Sequence, residues 1–308
     1  MKSDPLISVI IPCFNCQEFV DEAITSVLNQ DYSNKEIIIV DDGSTDESEE
    51  IIKRYSENIK IIQQKNMGLS GARNSGINHA RGEYIAFLDA DDYWSQHFLS
   101  AMVEQAVQSK SKLIYCGWEH VGTYRQEPFV PPDYEDSDNK LELMIEAPRW
   151  PVHAAIVHKS IVDELGGFNE SLNYCEDFNF WIRAATKNRI SRVSKVLAYY
   201  RHHGDTQLSK SVLNMAFSHL NVQQTFLKEH QDIKKQLSRK QIRKITYGRL
   251  LNNAYKFYWK RELQYARPMF RKVMAHGYGS LSDWKYMLPS FLPLSWHLKL
   301  ISGLGKSE

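Results

Sequence analysis

Residues Gly82-Glu83-Tyr84-Ile85-Ala86-Phe87-Leu88-Asp89-Ala90-Asp91-Asp92 join an apolar run to a cluster of acids. The apolar run predicts a strand at Tyr84–Leu88 that is buried on both faces, as strands of parallel sheets are. The same design recurs upstream, where Glu36–Val40 leads into Asp41-Asp42-Gly43-Ser44. Ile7–Pro12 is a third such run, and Ile59–Ile62 a shorter fourth. Helical spacing lies between them. Val20, Ala23, Ile24, Val27 and Leu28 mark a helix over Phe19–Asn29. Thr45 or Asp46 is placed to cap a helix reaching Tyr55, with Glu49 completing a capping box. Gly68–Ala80 and Gln96–Ser109 read as helices, and Leu113–Cys116 as a further strand. Strand and helix in alternation predict an α/β domain with a parallel sheet and right-handed crossovers. Ligands bind such sheets at the carboxyl ends of the strands, where these acids stand.

Residues 126–151 read as a loop punctuated by five prolines, with one short helix at Lys140–Ile145. A second block follows: a strand at Ala155–Val157, a helix at Ser160–Leu165 stopped by Gly166-Gly167, a helix at Glu176–Lys187, and a strand at Arg192–Tyr200. From Ser211 to about Ala275 the pattern is helical. The division expected is a domain over 1–210 and a helical extension over 211–308.

The 308 residues carry 38 Lys and Arg against 37 Asp and Glu, so no global basic field of the nucleic-acid-binding kind exists. Local charge is uneven. Residues 228–272 hold 14 Lys and Arg and three acids, so the rest of the chain is net acidic. Four scattered cysteines, Cys13, Cys16, Cys116 and Cys175, give no disulfide framework and suggest a reducing compartment. The pair Cys13 and Cys16 has no second pair to complete a zinc site. The start of the chain lacks a secretory h-region, and no apolar run is long enough to span a bilayer. A cytoplasmic protein is expected.

Asp89 and Asp91, one residue apart at a strand end, can face one divalent cation. Oxygen ligands of this kind suit Mg²⁺ or Mn²⁺, which bridge carboxylates to substrate phosphates. The alternative is an acidic helix start favoured by the dipole. Asp41-Asp42-Gly43-Ser44 is a turn whose Asp can accept from a nucleobase imide. Glu176-Asp177 opens a helix whose dipole favours ionised carboxylates, a state fit for a general base.

Together the strings VIIPCFN (9–15), VDDGSTD (40–46), GLSGARNSGI (68–77), GEYIAFLDADD (82–92), GGFNESL (166–172), Glu176-Asp177 and YYRHH (199–203) resemble family 2 glycosyltransferases, over roughly residues 5–210. The resemblance implies a GT-A (nucleotide-diphospho-sugar transferase) fold, with a mostly parallel sheet flanked by helices. It also implies inverting, hexosyltransferase-type transfer from a nucleotide-sugar. It places Pro12, Phe14, Asp41, Asp42, Arg73, Asp89 and Ala90 at the nucleotide-sugar, with Phe14 over the base and Asp42 as the base-binding carboxylate. Asp91 matches the direct ligand of Mn²⁺ or Mg²⁺, and His203 the late His near metal and diphosphate. His202 is the alternative because Gly204–Ser209 departs from the family's spacing. Asp177 matches the catalytic base. Gly167, Phe168, Glu176 and Trp181 match a sugar or acceptor pocket. Phe168 follows a Gly-Gly helix stop, and Trp150 and Trp181, which could stack on a glycan ring, read more readily as core aromatics.

The chemistry is consistent without the family. Neutralising a diphosphate makes it a good leaving group, and a carboxylate must take the proton of the attacking hydroxyl. A UDP-sugar donor is favoured, with a glycan or lipid-linked acceptor in cell-surface polysaccharide assembly. The basic stretch 228–272 and the tail Trp284–Ile301 suggest peripheral contact with an anionic membrane. In that tail Lys285, His297 and Lys299 are expected to keep polar ends in water, and Pro289 and Pro293 forbid one long helix. No nucleic-acid partner is expected. Two rivals remain: a non-catalytic nucleotide- or glycan-binding module, against which the intact Asp42, Asp91 and Asp177 argue, and a nucleotidyltransferase, whose Gly-rich basic phosphate loop is missing from Ile10–Glu18.

Overall fold

The structure, a computed structural model, describes residues 4–203 and 212–304. The chain divides into two compact units, residues 1–207 and 208–308. His203 falls within the described residues, whereas the irregular spacing at Gly204–Ser209 lies outside them.

The first unit is built on an eight-stranded sheet. Strand β1 (Ile7–Cys13) is buried along its whole length at the centre. Helix α1 (Val20–Leu28) leads to β2 (Lys35–Asp41), and α2 (Ser48–Lys53) to β3 (Lys60–Gln63). Helix α3 (Gly68–His79) then leads to β4 (Tyr84–Phe87). These four strands are mutually parallel in the order β3-β2-β1-β4. Their uninterrupted apolar runs fit this placement, since both faces are covered. Gly76 lets α3 lie close on β1: a Cβ there would come within 2.3 Å of Ile10 Cγ2.

The remaining strands depart from the parallel expectation. A two-residue strand β5 (Tyr93–Trp94) and helix α4 (Phe98–Ser109) precede β6 (Leu113–Gly122), which runs six residues beyond the expected Cys116. After α5 (Lys140–Glu146) the chain returns as β7 (Ala155–His158), inserted antiparallel between β4 and β6. An antiparallel partner needs no crossover helix, so the irregular segment 123–154 suffices to bring β7 back. Helices α6 (Lys159–Leu165) and α7 (Glu176–Lys187) lead to β8 (Ile190–His202), parallel to β6 and antiparallel to β5. The sheet is therefore mixed. The capping box expected of Glu49 does not form: its carboxylate meets Lys53 and Gln63, and Asp46 instead accepts from the Ser48 N–H.

The second unit is helical: α8 (Val212–Glu229), α9 (Gln231–Lys234), α10 (Arg239–Arg243), a π-helical turn at Lys244–Gly248, α11 (Arg249–Trp259), α12 (Leu263–Ala275), α13 (Leu281–Met287), a 3₁₀ turn at Leu288–Phe291, and α14 (Leu294–Leu304). It has its own core, with Leu250, Ala254, Tyr258, Met269, Phe270, Met287 and Ile301 buried. One tail expectation is overturned. His297 is fully buried beside Tyr258, and burial with the nearby Arg267 and Arg271 charges lowers its pKa.

Candidate active site

The carboxyl ends of β1, β2 and β4 open on one edge of the sheet. Just past β1, Asn15 holds a positive φ of 51°, and its amide oxygen accepts from Thr45 N at 2.8 Å. Asn15 N donates to Ser44 Oγ, Cys16 N to Ser48 Oγ and Gln17 N to Asp46 Oδ2. The loops after β1 and β2 are thus laced into one wall. Pro12 and Asp41 are buried within it, and Asp41 Oδ1 accepts from Ser44 N. Phe14 stands out from it at 46% exposure, an open aromatic face. Asp42 is buried, and its Oδ1 accepts from Gln64 Nε2 at 2.6 Å and from Met67 N at 2.9 Å. Those two donors fix the carboxylate orientation.

The Asp89–Asp92 turn divides its labour. Asp92 is buried and structural: it accepts from Arg201 N at 2.7 Å and lies 2.9 Å from His153 Nδ1. Burial alone would lower the pKa of His153, but the charges of Asp92, Asp89 and Asp91 outweigh it, so the imidazolium is favoured. Ala90 is buried, and Asp91 is half-buried beside His203. Asp91 Oδ2 lies 2.8 Å from His203 Nε2, whose ring packs on Phe19 at 4.4 Å between centroids. His202 turns elsewhere, its Nε2 lying 2.8 Å from Nδ1 of His120. Burial, with Asp92 and Asp89 adding repulsion, pushes the Asp91 pKa up to about 6, against the pull of His203.

Arg73 is 1% exposed and joins two motifs. Its Nη2 lies 2.7 Å from Asp89 Oδ1, and its Nη1 3.1 Å from Glu176 Oε1. The guanidinium also sits 5.1 Å over the Phe168 ring. Asp177 follows Glu176 in the first turn of α7, and one of its oxygens accepts from Phe178 N. Burial, then the adjacent Glu176 charge, pushes the Asp177 pKa up to about 7 despite Arg73. A carboxylate poised there suits proton abstraction near neutral pH.

Two pocket expectations fail. Phe168 and Trp181 are each 3% exposed. Phe168 stacks on Phe180 at 4.5 Å, and Trp181 packs edge-on against Trp150 and Phe180. They are core aromatics because the amphipathic face of α7 needs apolar partners there. Gly166 and Gly167 both have positive φ. A Cβ on Gly167 would meet Asn74 Oδ1 at 2.5 Å, and that same oxygen accepts from Phe168 N. Glu176 is half-buried on the cleft side, against Arg73.

Three contributors are not evident from the sequence. His153 gives no local signal, since its partner Asp92 is distant along the chain. Gln64 lies in an unremarkable loop. Arg201 stands within YYRHH, yet the motif by itself assigns it no role. It donates from Nε to the Asp91 carbonyl at 3.0 Å, pairs with Glu22, and covers the rings of Phe19 and Tyr93.

A sheet flanked by helices, with Asp41, Asp42, Asp89 and Asp91 gathered at the carboxyl ends of β2 and β4, has the architecture of the GT-A fold. Solved structures share that fold. One is Staphylococcus aureus TarS 1–349 in complex with UDP-GlcNAc, with TM-score 0.66 and 21% identity over 87% of this chain and 80% of that one. Another is the Pyrobaculum calidifontis mannosyltransferase PcManGT in complex with GDP-Man and Mn²⁺, with TM-score 0.58 and 19% identity over 100% and 89%. The sequence model of glycosyl transferase family 2 matches residues 8–166, and the chain belongs to that family. An uncharacterised glycosyltransferase of Rickettsia typhi is 31% identical over 235 residues, 73% of this chain and 72% of its own. Bacillus subtilis EpsJ, also an uncharacterised glycosyltransferase, is 33% identical over 65% and 62%. Escherichia coli chondroitin synthase is 25% identical over 85% of this chain and 37% of its own.

Proposed function

We propose that the chain moves a hexose from a nucleotide-sugar, UDP-linked by preference, to a hydroxyl of a glycan or lipid-linked acceptor, with inversion at the anomeric carbon. The observation that carries this reading is the Arg73 bridge. It seats the Asp89–Asp91 turn and the Glu176–Asp177 helix start at one cleft. In this reading Pro12, Phe14, Asp41 and Asp42 receive the nucleoside, with Phe14 against the base and Asp42 Oδ2 accepting its imide proton. Arg73 keeps Asp89 oriented toward the donor. Asp177 takes the acceptor proton during attack from the face opposite the diphosphate, and Glu176 is the alternative base.

Asp91 and His203 would hold Mn²⁺ or Mg²⁺. Their donor atoms lie 2.8 Å apart. Adjacent ligands of an octahedral Mg²⁺ at 2.0–2.1 Å stand roughly 3 Å from each other, so the pair fits as it is. Burial, with the added charges of Asp92 and Asp89, raises the Asp91 pKa, and a bound cation would offset that cost. When bound, the ion neutralises the leaving diphosphate as a Lewis acid.

We place the protein in the cytoplasm, peripheral to an anionic membrane, in assembly of a cell-surface polysaccharide. Four free cysteines support a reducing compartment. Among the described residues no helix is long and apolar enough to cross a membrane. Leu288, Phe291, Leu294, Trp296, Leu298 and Leu300 are exposed, with Trp296 at 62%. Exposed apolar rows of this kind mark interaction surfaces. A panel of nucleotide-sugars assayed for binding and hydrolysis with Mn²⁺ and with chelator tests the core of the proposal. Selective, Mn²⁺-stimulated hydrolysis of one of them is expected; binding without hydrolysis would leave the binding-module reading, and indifference to all of them would overturn the proposal.

A further inference from the structure

The second unit contains a cavity of about 600 Å³ between α9, α10, the π-helical turn and the end of α12. Lys234, Lys235, Arg239 and Arg243 line it, with Tyr247 and His276, and no carboxylate does. Among the described residues none of these four cations forms an ion pair with a carboxylate. Arg243 is aimed by the helix end beside it, since its Nη2 donates to the carbonyls of His276 and Gly277. The Tyr247 and His276 rings stack at 4.6 Å. Tyr247 projects from the π-helical turn Lys244–Gly248, a conformation that proteins keep at functional sites more than elsewhere.

Four cations gathered without an ion-pair partner raise the local potential and draw anions. The volume exceeds what one phosphate needs and matches a small ligand of several rings or groups. An aromatic wall adds an apolar face for a pyranose ring. We propose that this cavity binds an anionic glycan, a sugar chain bearing phosphate or carboxylate groups. The binding rests on this unit's own geometry and not on the transferase reading.

The test uses the full chain and a heparin-derived tetrasaccharide as probe, with uncharged chitotetraose and a 12-base-pair DNA duplex as comparators. Calorimetry is expected to show tetrasaccharide binding that weakens with salt. Lys234→Gln with Arg239→Gln, both exposed positions, is expected to weaken it at least about tenfold, the loss of one or more charge-assisted hydrogen bonds. Nucleotide-sugar binding should stay unchanged in that variant. Unchanged tetrasaccharide affinity in the double variant overturns the proposal. So does equal binding of chitotetraose, or of the duplex with the same sensitivity. If the tetrasaccharide result holds while no nucleotide-sugar binds the wild-type chain, the cavity is supported and the transferase reading alone falls.

Discussion

One guanidinium ties together carboxylates 87 positions apart: Arg73 reaches Asp89 at 2.7 Å through Nη2 and Glu176 at 3.1 Å through Nη1. Lys has one ammonium and no fork, so Arg73→Lys can keep only one of these contacts. Losing a charge-assisted hydrogen bond costs about 1.5–3 kcal/mol, a fall in Tm on the order of 5 °C. Misplacement of the Asp177 helix start should also lower kcat by roughly 10²-fold. A calorimetric scan and steady-state kinetics check both. Wild-type kcat in the variant would mean that the bridge is structural only.

Asp177→Asn keeps the shape of the side chain and removes the proton acceptor. We expect kcat to fall by ~10²–10⁴-fold with donor affinity retained. Near-normal turnover at saturating acceptor transfers the role to Glu176.

The pH profile follows from the same residue. Asp177 must be ionised to accept a proton, so kcat/KM should rise with pH through about 7 and then level off. Stability runs the other way. The folded pKa lies above the ordinary aspartate value of 3.8, so folding favours the neutral acid. Its contribution is present at low pH and is lost as pH climbs through that window. Asp177→Asn should flatten this segment of a stability–pH curve, and an unchanged slope would contradict the raised pKa.

Asp91→Asn leaves the turn intact, since the turn is held by Asp92 and Arg201. It should abolish the Mn²⁺ dependence of nucleotide-sugar binding with little change in Tm. Titration calorimetry with and without Mn²⁺ reads this directly, and retained Mn²⁺ dependence removes Asp91 from the metal site.

Removing residues 288–308 strips the exposed Leu288, Phe291, Leu294, Trp296, Leu298 and Leu300. Co-sedimentation with phosphatidylserine-containing vesicles should fall on this deletion and with added salt. Because Ile301 is part of the core, Trp296→Ser with Phe291→Ser serves as the gentler variant. A wild-type chain that stays in the supernatant at low salt ends the membrane reading.

Much of the fold is written locally. Apolar runs announce β1, β2 and β4, the acids after β2 and β4 mark one edge of the sheet, and Glu176–Lys187 is a helix with the bounds its sequence suggests. The YYRHH string leaves the contacts of its two histidines open, and the structure turns them apart: His203 meets Asp91 and His202 meets His120. What stays hidden depends on partners far along the chain. Nothing near Asp92 forecasts His153, and nothing in Ala155–His158 says that the strand runs antiparallel to Tyr84–Phe87. The Gly-Gly-Phe string reads as a pocket wall, whereas the hydrogen bonds of Asn74 to Phe168 fold it into the core.

The insertion of β7 has a bearing on synthesis. Strand β4 ends at residue 87, yet its outer neighbour does not exist until residues 155–158 are made, and the partner of β6 and β5 arrives only with residues 190–202. For roughly seventy residues of translation the growing chain therefore carries an apolar four-stranded half-sheet whose β4 edge is bare, in addition to the outer edge at β3. Such an edge invites pairing with other chains, and its proper partner must be captured across a long loop. The polar, proline-punctuated segment between β6 and β7, which offers little to that edge, is the part of the nascent chain that waits beside it.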